Sequence, residues 1–337
     1  MGKRGLQIGV DLGTANTLVY IGGYGIIYNE PSVVAFDRQT KEIVAVGMKA
    51  KMMLGKEHDK IKVVKPLERG VIADLDATKA NLEFVFKHME HIDFDYKKST
   101  LLICIPNQVT QIERMALKEL AEKLGFRDVF VESEVKAGAI GAGIDIFAPR
   151  GSMVVDIGGG TTDIGVLSLG DVVVSDSIRI AGNYFDEQIV KYVKQRYRIH
   201  IGNKTAEQIK IHLGTLRSEL NEPKEYTFAG RHINTGVPTR GTIKQEEIRN
   251  IFLQAFESIT LRVINVLQNT PPELASDIYE DGLVVNGGGA LIDGVQEYFK
   301  ERIGIEVRIS DNPLTSIVEG TKFLLRNRGN YLVKPID

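Results

Sequence analysis

The sequence Val-Val-Asp-Ile-Gly-Gly-Gly-Thr-Thr-Asp-Ile-Gly-Val occupies positions 154–166, near the middle of a chain of 337 residues. It repeats a pattern found at positions 8–20, Ile-Gly-Val-Asp-Leu-Gly-Thr-Ala-Asn-Thr-Leu-Val-Tyr. In both segments an apolar run ends in an aspartate, a Gly/Thr turn follows, and a second apolar run comes next, which is the pattern of a β-hairpin. Asp11 and Asp156 hold the same place in the two copies. The chain is therefore predicted to contain two similar halves.

Strands and helices alternate around both hairpins. Apolar residues recur at helical spacing over 113–124, 185–197 and 246–267, whereas 101–106 and 283–286 have the composition of buried strands. This alternation predicts an α/β fold. No Pro/Ser-rich linker separates the halves, so we expect them to pack against each other over a cleft.

The composition restricts the class of protein. Hydrophobic residues make up 43% of the chain, charged residues 26%, and the net charge is -2, which indicates a globular protein without a generally nucleic-acid-binding surface. No apolar run approaches the roughly 18 residues that a transmembrane helix needs, and the N-terminus leads directly into a strand-like segment. The single cysteine, Cys104, lies in an apolar run and is predicted to be a core residue. We therefore expect a cytoplasmic protein.

The two hairpins are suited to binding phosphate. Backbone N–H groups in a tight turn bind anions, and glycines allow the backbone to approach phosphate oxygens closely. Thr14, Thr161 and Thr162 add hydroxyl donors, and an aspartate at each strand end can hold hydrated Mg²⁺. One such hairpin could be an ordinary β-turn, but two matched copies facing across a cleft would hold a triphosphate from both sides. A third glycine cluster at 286–292 follows a predicted strand and is a weaker indication of the same kind.

These features resemble the actin-like ATPase superfamily, which also contains sugar kinases and heat-shock chaperones, and within it the MreB family of bacterial actins. Matching segments run in order through nearly the whole chain, at 11–17, 29–35, 70–74, 140–143, 153–162, 185–187, 271–278, 287–291 and 311–315. The resemblance implies an actin-like fold with two duplicated α/β lobes, or four subdomains, around a nucleotide cleft. The first lobe would cover 1–142 with a small insertion at about 31–66, and the second 143–337 with one at about 182–241. The last segment, about 315–337, would return to the first lobe.

The resemblance also implies a site for ATP and Mg²⁺. Asp11 and Asp156 would contact Mg²⁺ through water, and Glu134 and Thr161 would position the attacking water as catalytic residues. The nucleotide-binding residues would be Gly13, Thr14, Ala15 and Asn16 in the first hairpin, Gly158, Gly159, Gly160 and Thr161 in the second, Glu207 and Lys210 beside the ribose and adenine, and Gly287, Gly288, Gly289 and Ala290 over the nucleoside.

One segment departs from the family pattern. Many members have Glu-Pro where this chain has Ser133-Glu134-Val135, so the loop is expected to be less rigid and the hydrolysis rate stays open. Lys136 could pair with Glu134.

The resemblance further implies filaments of this chain, with paired protofilaments, at the inner face of the cell membrane. Two segments could contact an anionic membrane: the loop Ile92–Lys98, and the tail Lys322–Ile336, where cations are interleaved with apolar residues. The alternative is that these apolar residues pack in the core and the cations are ordinary surface charge.

The resemblance and the hairpins together predict a slow, Mg²⁺-dependent ATPase whose filaments govern cell shape. Two other functions are compatible with the same fold. A small-molecule kinase would need an acceptor site and a catalytic base, and a chaperone-like ATPase would need a peptide-binding domain.

Overall fold

The computed structural model describes residues 4–89, 92, 94–220 and 222–328. In chain order its strands are β1 (Gln7–Leu12), β2 (Asn16–Ile21), β3 (Gly25–Pro31), β4 (Val34–Asp37), β5 (Ile43–Val46), β6 (Ile61–Val64), β7 (Leu67–Glu68), β8 (Val71–Ile72), β9 (Thr100–Ile105), β10 (Asp128–Ser133), β11 (Ser152–Ile157), β12 (Thr162–Ser168), β13 (Asp171–Ile178), β14 (Ile199–His200), β15 (Glu225–His232), β16 (Pro238–Lys244), β17 (Leu283–Asn286) and β18 (Val307–Ile309). The helices are α1 (Met48–Lys51), α2 (Leu75–His88), α3 (Gln111–Lys123), α4 (Glu134–Gly141), α5 (Gly182–Tyr197), α6 (Asn203–Leu213), α7 (Gln245–Gln268), α8 (Pro272–Asp281), α9 (Val295–Ile303) and α10 (Ser316–Arg326), with short 3-10 turns at Tyr96–Lys98 and Gly288–Leu291.

Two five-stranded sheets have the same connectivity. The first has the order β10-β9-β1-β2-β3 and the second β13-β12-β11-β17-β18. In each, the central strand begins an antiparallel meander on one side (β1-β2-β3 or β11-β12-β13) and pairs in parallel with a later strand on the other (β9 or β17). The predicted α/β fold with two duplicated lobes is therefore confirmed.

Smaller sheets accompany the two large ones. Strands β4, β5 and β6 form a three-stranded sheet within residues 34–64, and β14, β15 and β16 form another within 199–244. Helix α5 precedes the second small sheet in sequence and α6 lies between β14 and β15. Phe185, Ile189 and Val193 of α5 pack in the large core of the second half.

Local sequence explains where the helices begin. Thr110 and Glu113 form a capping box at α3, in which each side chain accepts a hydrogen bond from the other residue's backbone N–H. The Ser133 side chain caps α4 by accepting a hydrogen bond from the backbone N–H of Val135. This cap fixes the first turn of α4, which begins with Glu134.

Helices α4 and α10 join the two halves. α10 packs against β1, β2 and β9 of the first sheet, and α4 contacts β9 and β10 of the first sheet as well as β11 and β12 of the second. The two helices cross at glycines: a methyl group on Gly141 would lie 1.7 Å from the Ser316 carbonyl oxygen, and one on Gly320 would lie 1.9 Å from that of Ala137. The crossing therefore brings backbone directly against backbone.

Candidate functional site

Four buried carboxylates gather where the two large sheets meet. Asp11 is the penultimate residue of β1, Asp156 lies in β11, Asp163 faces Asp156 across the β11–β12 pair, and Glu134 begins α4. Each side chain is less than 9% exposed. The fold thus brings together three carboxylates that the sequence analysis selected (Asp11, Asp156 and Glu134) and one that it missed, Asp163.

Among the described residues, the charges that act on these carboxylates are those of the cluster itself. Burial and the charge of Asp156 raise the pKa of Asp11 to about 8, and burial and the charge of Asp163 raise that of Asp156 to about 7. Burial and the charges of Asp11, Asp163 and Asp156 raise the pKa of Glu134 well above its usual value. One buried oxygen each of Asp11, Glu134 and Asp163 lacks a hydrogen-bond partner in the described part of the chain. Such a cluster favours a bound cation.

The carboxylates of the cluster fit a Mg²⁺ ion that takes its remaining ligands from water and phosphate. Among the residues that the structure describes, no group of three or more His, Cys, Asp or Glu side chains is arranged to hold a metal ion alone. Mg²⁺ usually keeps several waters and takes one or two carboxylates together with phosphate oxygens. Asp11 and Asp156 supply two carboxylates of that kind.

The first hairpin is held by polar side chains behind it. Ser32 donates a hydrogen bond from Oγ to the Gly13 carbonyl at 2.7 Å, and Thr17 Oγ1 lies 2.9 Å from Ser32 Oγ. Asn81 of α2 donates to Thr17 Oγ1 at 2.8 Å. Asn16, also selected from the sequence, begins β2 and is exposed.

The second hairpin is anchored to the start of α5. The Gly158 N–H donates to the Thr161 carbonyl at 3.0 Å, closing the turn. The N–H groups of Gly182 and Asn183 donate to the carbonyls of Gly158 and Gly159 at 3.1 and 2.8 Å.

The two hairpins contact each other through glycines. A methyl group on Gly159 would lie 2.7 Å from Cβ of Ala15, and one on Gly160 would lie 2.6 Å from Oγ1 of Thr14. Gly70, at a φ of 77°, approaches Thr161 as closely, since its methyl would lie 2.3 Å from Cγ2 of that threonine. Any larger residue at these positions would push the hairpins apart.

The third glycine cluster packs against the end of β11. Gly287 has a φ of 79°, and a methyl group on it would lie 2.6 Å from Oδ1 of Asp156 and 2.5 Å from the Ile157 carbonyl oxygen. A methyl on Gly289 would lie 2.2 Å from Cγ2 of Ile157. The turn Gly288–Leu291, which includes Ala290, therefore lies beside the carboxylate cluster.

The two residues selected in α6 have different surroundings. Lys210 Nζ donates to the Gly182 carbonyl at 3.1 Å and pairs with Asp186 at 2.9 Å, so it lies beside the second hairpin. Glu207 pairs with Lys51 of α1 at 2.9 Å and thereby connects the two halves. Asp186 lies in the matching segment at 185–187, but no sequence pattern predicted its pairing with Lys210.

The expected pairing of Lys136 with Glu134 is replaced by another contact. Lys136 Nζ lies 3.2 Å from Oε2 of Glu132, and its side chain is 6% exposed. Lys136, in the first turn of α4, therefore reaches back to Glu132 near the end of β10. Cys104 is buried, as predicted.

The structure argues against the loop as an apolar membrane contact. Ile92 and Phe94 are each 6% exposed, and Phe94 packs against Tyr96 with ring centroids 4.6 Å apart. Asp93 lies outside the described residues. The apolar side chains of the loop therefore belong to the core, which is the alternative given above.

The tail is described only in its first part. Leu324 and Leu325 are buried, whereas Phe323 is 40% exposed and stacks on Phe147. Arg328 pairs with Asp128 at 2.8 Å, and residues 329–337 lie outside the described residues. Within the described part, no helix is both long and apolar enough to cross a bilayer.

Comparisons with known proteins agree on one family. A family model described as MreB/Mbl protein matches residues 5–332. The chain is 44% identical over 325 residues to the cell shape-determining protein Mbl of Bacillus cereus, covering 95% of this chain and 96% of that protein. It is 43% identical over 318 residues to the cell shape-determining protein MreB of Escherichia coli K12, covering 93% and 91%. The crystal structure of MreB 5 of Spiroplasma citri bound to AMPPNP superposes with a TM-score of 0.92 at 43% identity, covering 97% of this chain and 98% of that one.

Proposed function

The chain belongs to the MreB/Mbl family, and on that premise we propose that it is an ATP-dependent cytoskeletal protein whose filaments determine cell shape. The proposal includes slow, Mg²⁺-dependent ATP hydrolysis as the switch of filament state. Relatives named for cell shape, and a solved relative bound to an ATP analogue, support the two parts of this proposal.

One observation carries the nucleotide part of the proposal. Two glycine hairpins meet beside a buried cluster of carboxylates, three of whose oxygens have no hydrogen-bond partner among the described residues. A phosphate chain together with a divalent cation would satisfy both features, because backbone N–H groups bind the anion and carboxylates bind the cation.

Three of the four carboxylates then have a task. Bound Mg²⁺ would neutralise charge on the phosphate oxygens. Asp11 and Asp156 would hold that ion, while the hairpin N–H groups and the hydroxyls of Thr14 and Thr161 would orient the phosphates. Glu134 would align the attacking water and accept its proton. The Ser133 cap holds Glu134 in place without the proline found in many relatives.

The test of this chemistry is Glu134→Gln, which keeps the size of the side chain and removes the base. We expect ATP affinity to stay within about threefold and phosphate release to fall by about 10²-fold or more. Glu119→Gln on the exposed face of α3, with a side chain 66% exposed, serves as the control. An unchanged rate in Glu134→Gln would remove this residue from the mechanism.

Filament formation is tested on the same sample by negative-stain electron microscopy with and without ATP. ATP-dependent filaments would support the proposal, and monomers at high concentration both with and without ATP would contradict it.

We also propose that the filaments lie in the cytoplasm against the inner face of the membrane, with the tail as the contact. This part is tested by pelleting with anionic vesicles, comparing the full chain with one that ends at Arg326. Equal binding by the two chains would rule out the tail.

A further inference from the structure

Asn286 lies beside the carboxylate cluster without a role in the proposed function. It ends β17 and is the parallel neighbour of Asp156 in β11. Its side chain is completely buried, and Nδ2 donates a hydrogen bond to Oδ2 of Asp156 at 2.7 Å. An amide in this position gives a buried carboxylate one fixed, neutral donor.

The amide of Asn286 has only one favourable orientation toward a charged Asp156. Its other atom, Oδ1, is buried and has no hydrogen-bond partner among the described residues. Turning the amide over would place Oδ1 against the carboxylate oxygen, and an ionised carboxylate has no hydrogen to donate. The remaining acceptor therefore needs a donor, since an unsatisfied buried polar group is destabilising.

Glycines on both sides restrict the carboxylate of Asp156. A methyl group on Gly138 of α4 would lie 3.1 Å from Nδ2 of Asn286 and 3.3 Å from Oδ2 of Asp156. On the other side, a methyl on Gly287 would lie 2.6 Å from Oδ1 of Asp156. Close backbone on two sides and the amide at Oδ2 leave the carboxylate little freedom to rotate.

We propose that Asn286 is a positioning residue that holds Asp156 in the orientation that receives hydrated Mg²⁺ with the nucleotide. Its free Oδ1 is available to accept a hydrogen bond from a water bound to that ion. The inference rests on the proposed nucleotide function, because it assigns Asn286 to the same site. Partners that orient metal ligands typically affect metal affinity by about 10- to 100-fold.

The experiment measures binding rather than turnover. The affinity of the protein for a fluorescent ATP analogue is measured in the presence of Mg²⁺ and, separately, in EDTA. The dissociation constant in EDTA divided by that in Mg²⁺ reports how strongly Mg²⁺ supports binding. We expect Asn286→Leu, which has the same number and branching of side-chain heavy atoms but no hydrogen-bonding groups, to reduce this ratio about 10-fold or more. Affinity in EDTA should stay within about threefold of the wild type.

A mutant cycle separates positioning from general disruption. In an Asp156→Asn background the amide has no carboxylate to orient, so Asn286→Leu should change the Mg²⁺ ratio by less than about twofold. Asn286→Thr restores a hydroxyl donor and should recover part of the ratio. This variant also keeps the test decisive if Asn286→Leu does not fold, as judged by circular dichroism.

The outcomes distinguish the inference from the function on which it rests. A wild-type chain whose affinity for the analogue does not respond to Mg²⁺ would contradict the proposed function itself. A normal wild-type response with an unchanged ratio in both Asn286 variants would overturn the role of Asn286. Equal losses with Mg²⁺ and with EDTA, or equal losses in both backgrounds, would overturn it as well.

Discussion

The contact between α4 and α10 makes a strong prediction for Gly141→Ala. Gly141 ends α4, and a methyl group there would lie 1.7 Å from the carbonyl oxygen of Ser316 and 2.9 Å from its Cα. Ordinary contacts begin at 3.4 Å, so one helix would have to shift by about 1.7 Å. The obstacle is backbone, which cannot move aside as the end of a flexible side chain can.

Two opposing effects set the size of the change. Alanine is favoured over glycine within a helix by about 1 kcal/mol. Overpacking costs about 1–3 kcal/mol and occasionally more, and a clash with backbone belongs at the upper end of this range. We therefore expect the free energy of unfolding to fall by about 1–2 kcal/mol.

Urea unfolding followed by circular dichroism measures this change. Gly320→Ala introduces a similar clash from the other helix, where the methyl would lie 1.9 Å from the Ala137 carbonyl oxygen, and should cost a similar amount. Gly202→Ala is the control for an added methyl group without a clash, because nothing lies within 4 Å of it and φ is -85°. Gly202 is the N-cap of α6, where alanine is disfavoured, so this control should itself lose some stability, but less than Gly141→Ala. A Gly141→Ala chain as stable as the wild type, or more stable, would refute the backbone contact between these helices.

Three further predictions concern ion pairs and hydrogen bonds. Lys51→Ala removes the ion pair with Glu207, in which both side chains are 30% exposed, so stability should change by less than about 1 kcal/mol. The variant should release a fluorescent nucleotide faster than the wild type at low salt. Equal release rates for the two proteins at low salt would contradict a connection between the halves. Lys210→Met leaves Asp186 largely buried without its partner, and thermal unfolding should show a loss of about 3 kcal/mol, part of which Asp186→Asn restores. Desolvation raises the pKa of Glu247, but hydrogen bonds from the Lys244 N–H and the hydroxyls of Tyr197 and Tyr192 lower it further, so the net shift is downward. A carboxyl group with a lowered pKa stabilises the fold in its ionised form, so Glu247→Gln should lower the free energy of unfolding by about 1–2 kcal/mol at pH 7. This loss should shrink as the pH falls below about 4.5, because the glutamate is then protonated. A loss that is independent of pH would exclude the charge as its cause.

The sequence predicts those parts of the fold that are local or repeated. The hairpins at Asp11 and Asp156 each lie within a few consecutive residues, and their repetition indicated two similar halves. The helices predicted at 113–124, 185–197 and 246–267 agree with α3, α5 and α7 to within three residues at each end. Periodicity and turn chemistry are short-range signals, so they can be recognised in the sequence without any knowledge of how the chain packs.

Partners from distant strands could not be predicted in this way. Asn286 meets Asp156 because β17 pairs in parallel with β11, across 130 positions of the chain. No local pattern sets the register of that pairing, and a single residue of slip would turn Asn286 away from Asp156. A buried polar residue at the end of an apolar strand was the one available signal.

The loop Ile92–Lys98 shows a second limit of prediction from sequence. Ile92 and Phe94 look the same in sequence whether they face a membrane or the core. Their burial depends on aromatic neighbours, since Tyr96 contacts both Phe94 and Phe126, with ring centroids 4.6 and 5.1 Å apart. Phe126 comes more than thirty positions later in the chain, so the loop alone could not indicate which surface its apolar side chains meet.

The position of α10 also has a consequence for the nascent chain. Val318 packs with Leu18 and Tyr20, Thr321 lies against Gly9, and the Leu325 carbonyl accepts a hydrogen bond from Gln7. At about 5–20 residues per second, a ribosome adds these last contacts roughly 15–60 s after it has made β1. Until then β1 and β2 of the first sheet lack their covering helix on one face. A ribosome stalled before α10 emerges should therefore hold a first half that is open to chaperones and proteases.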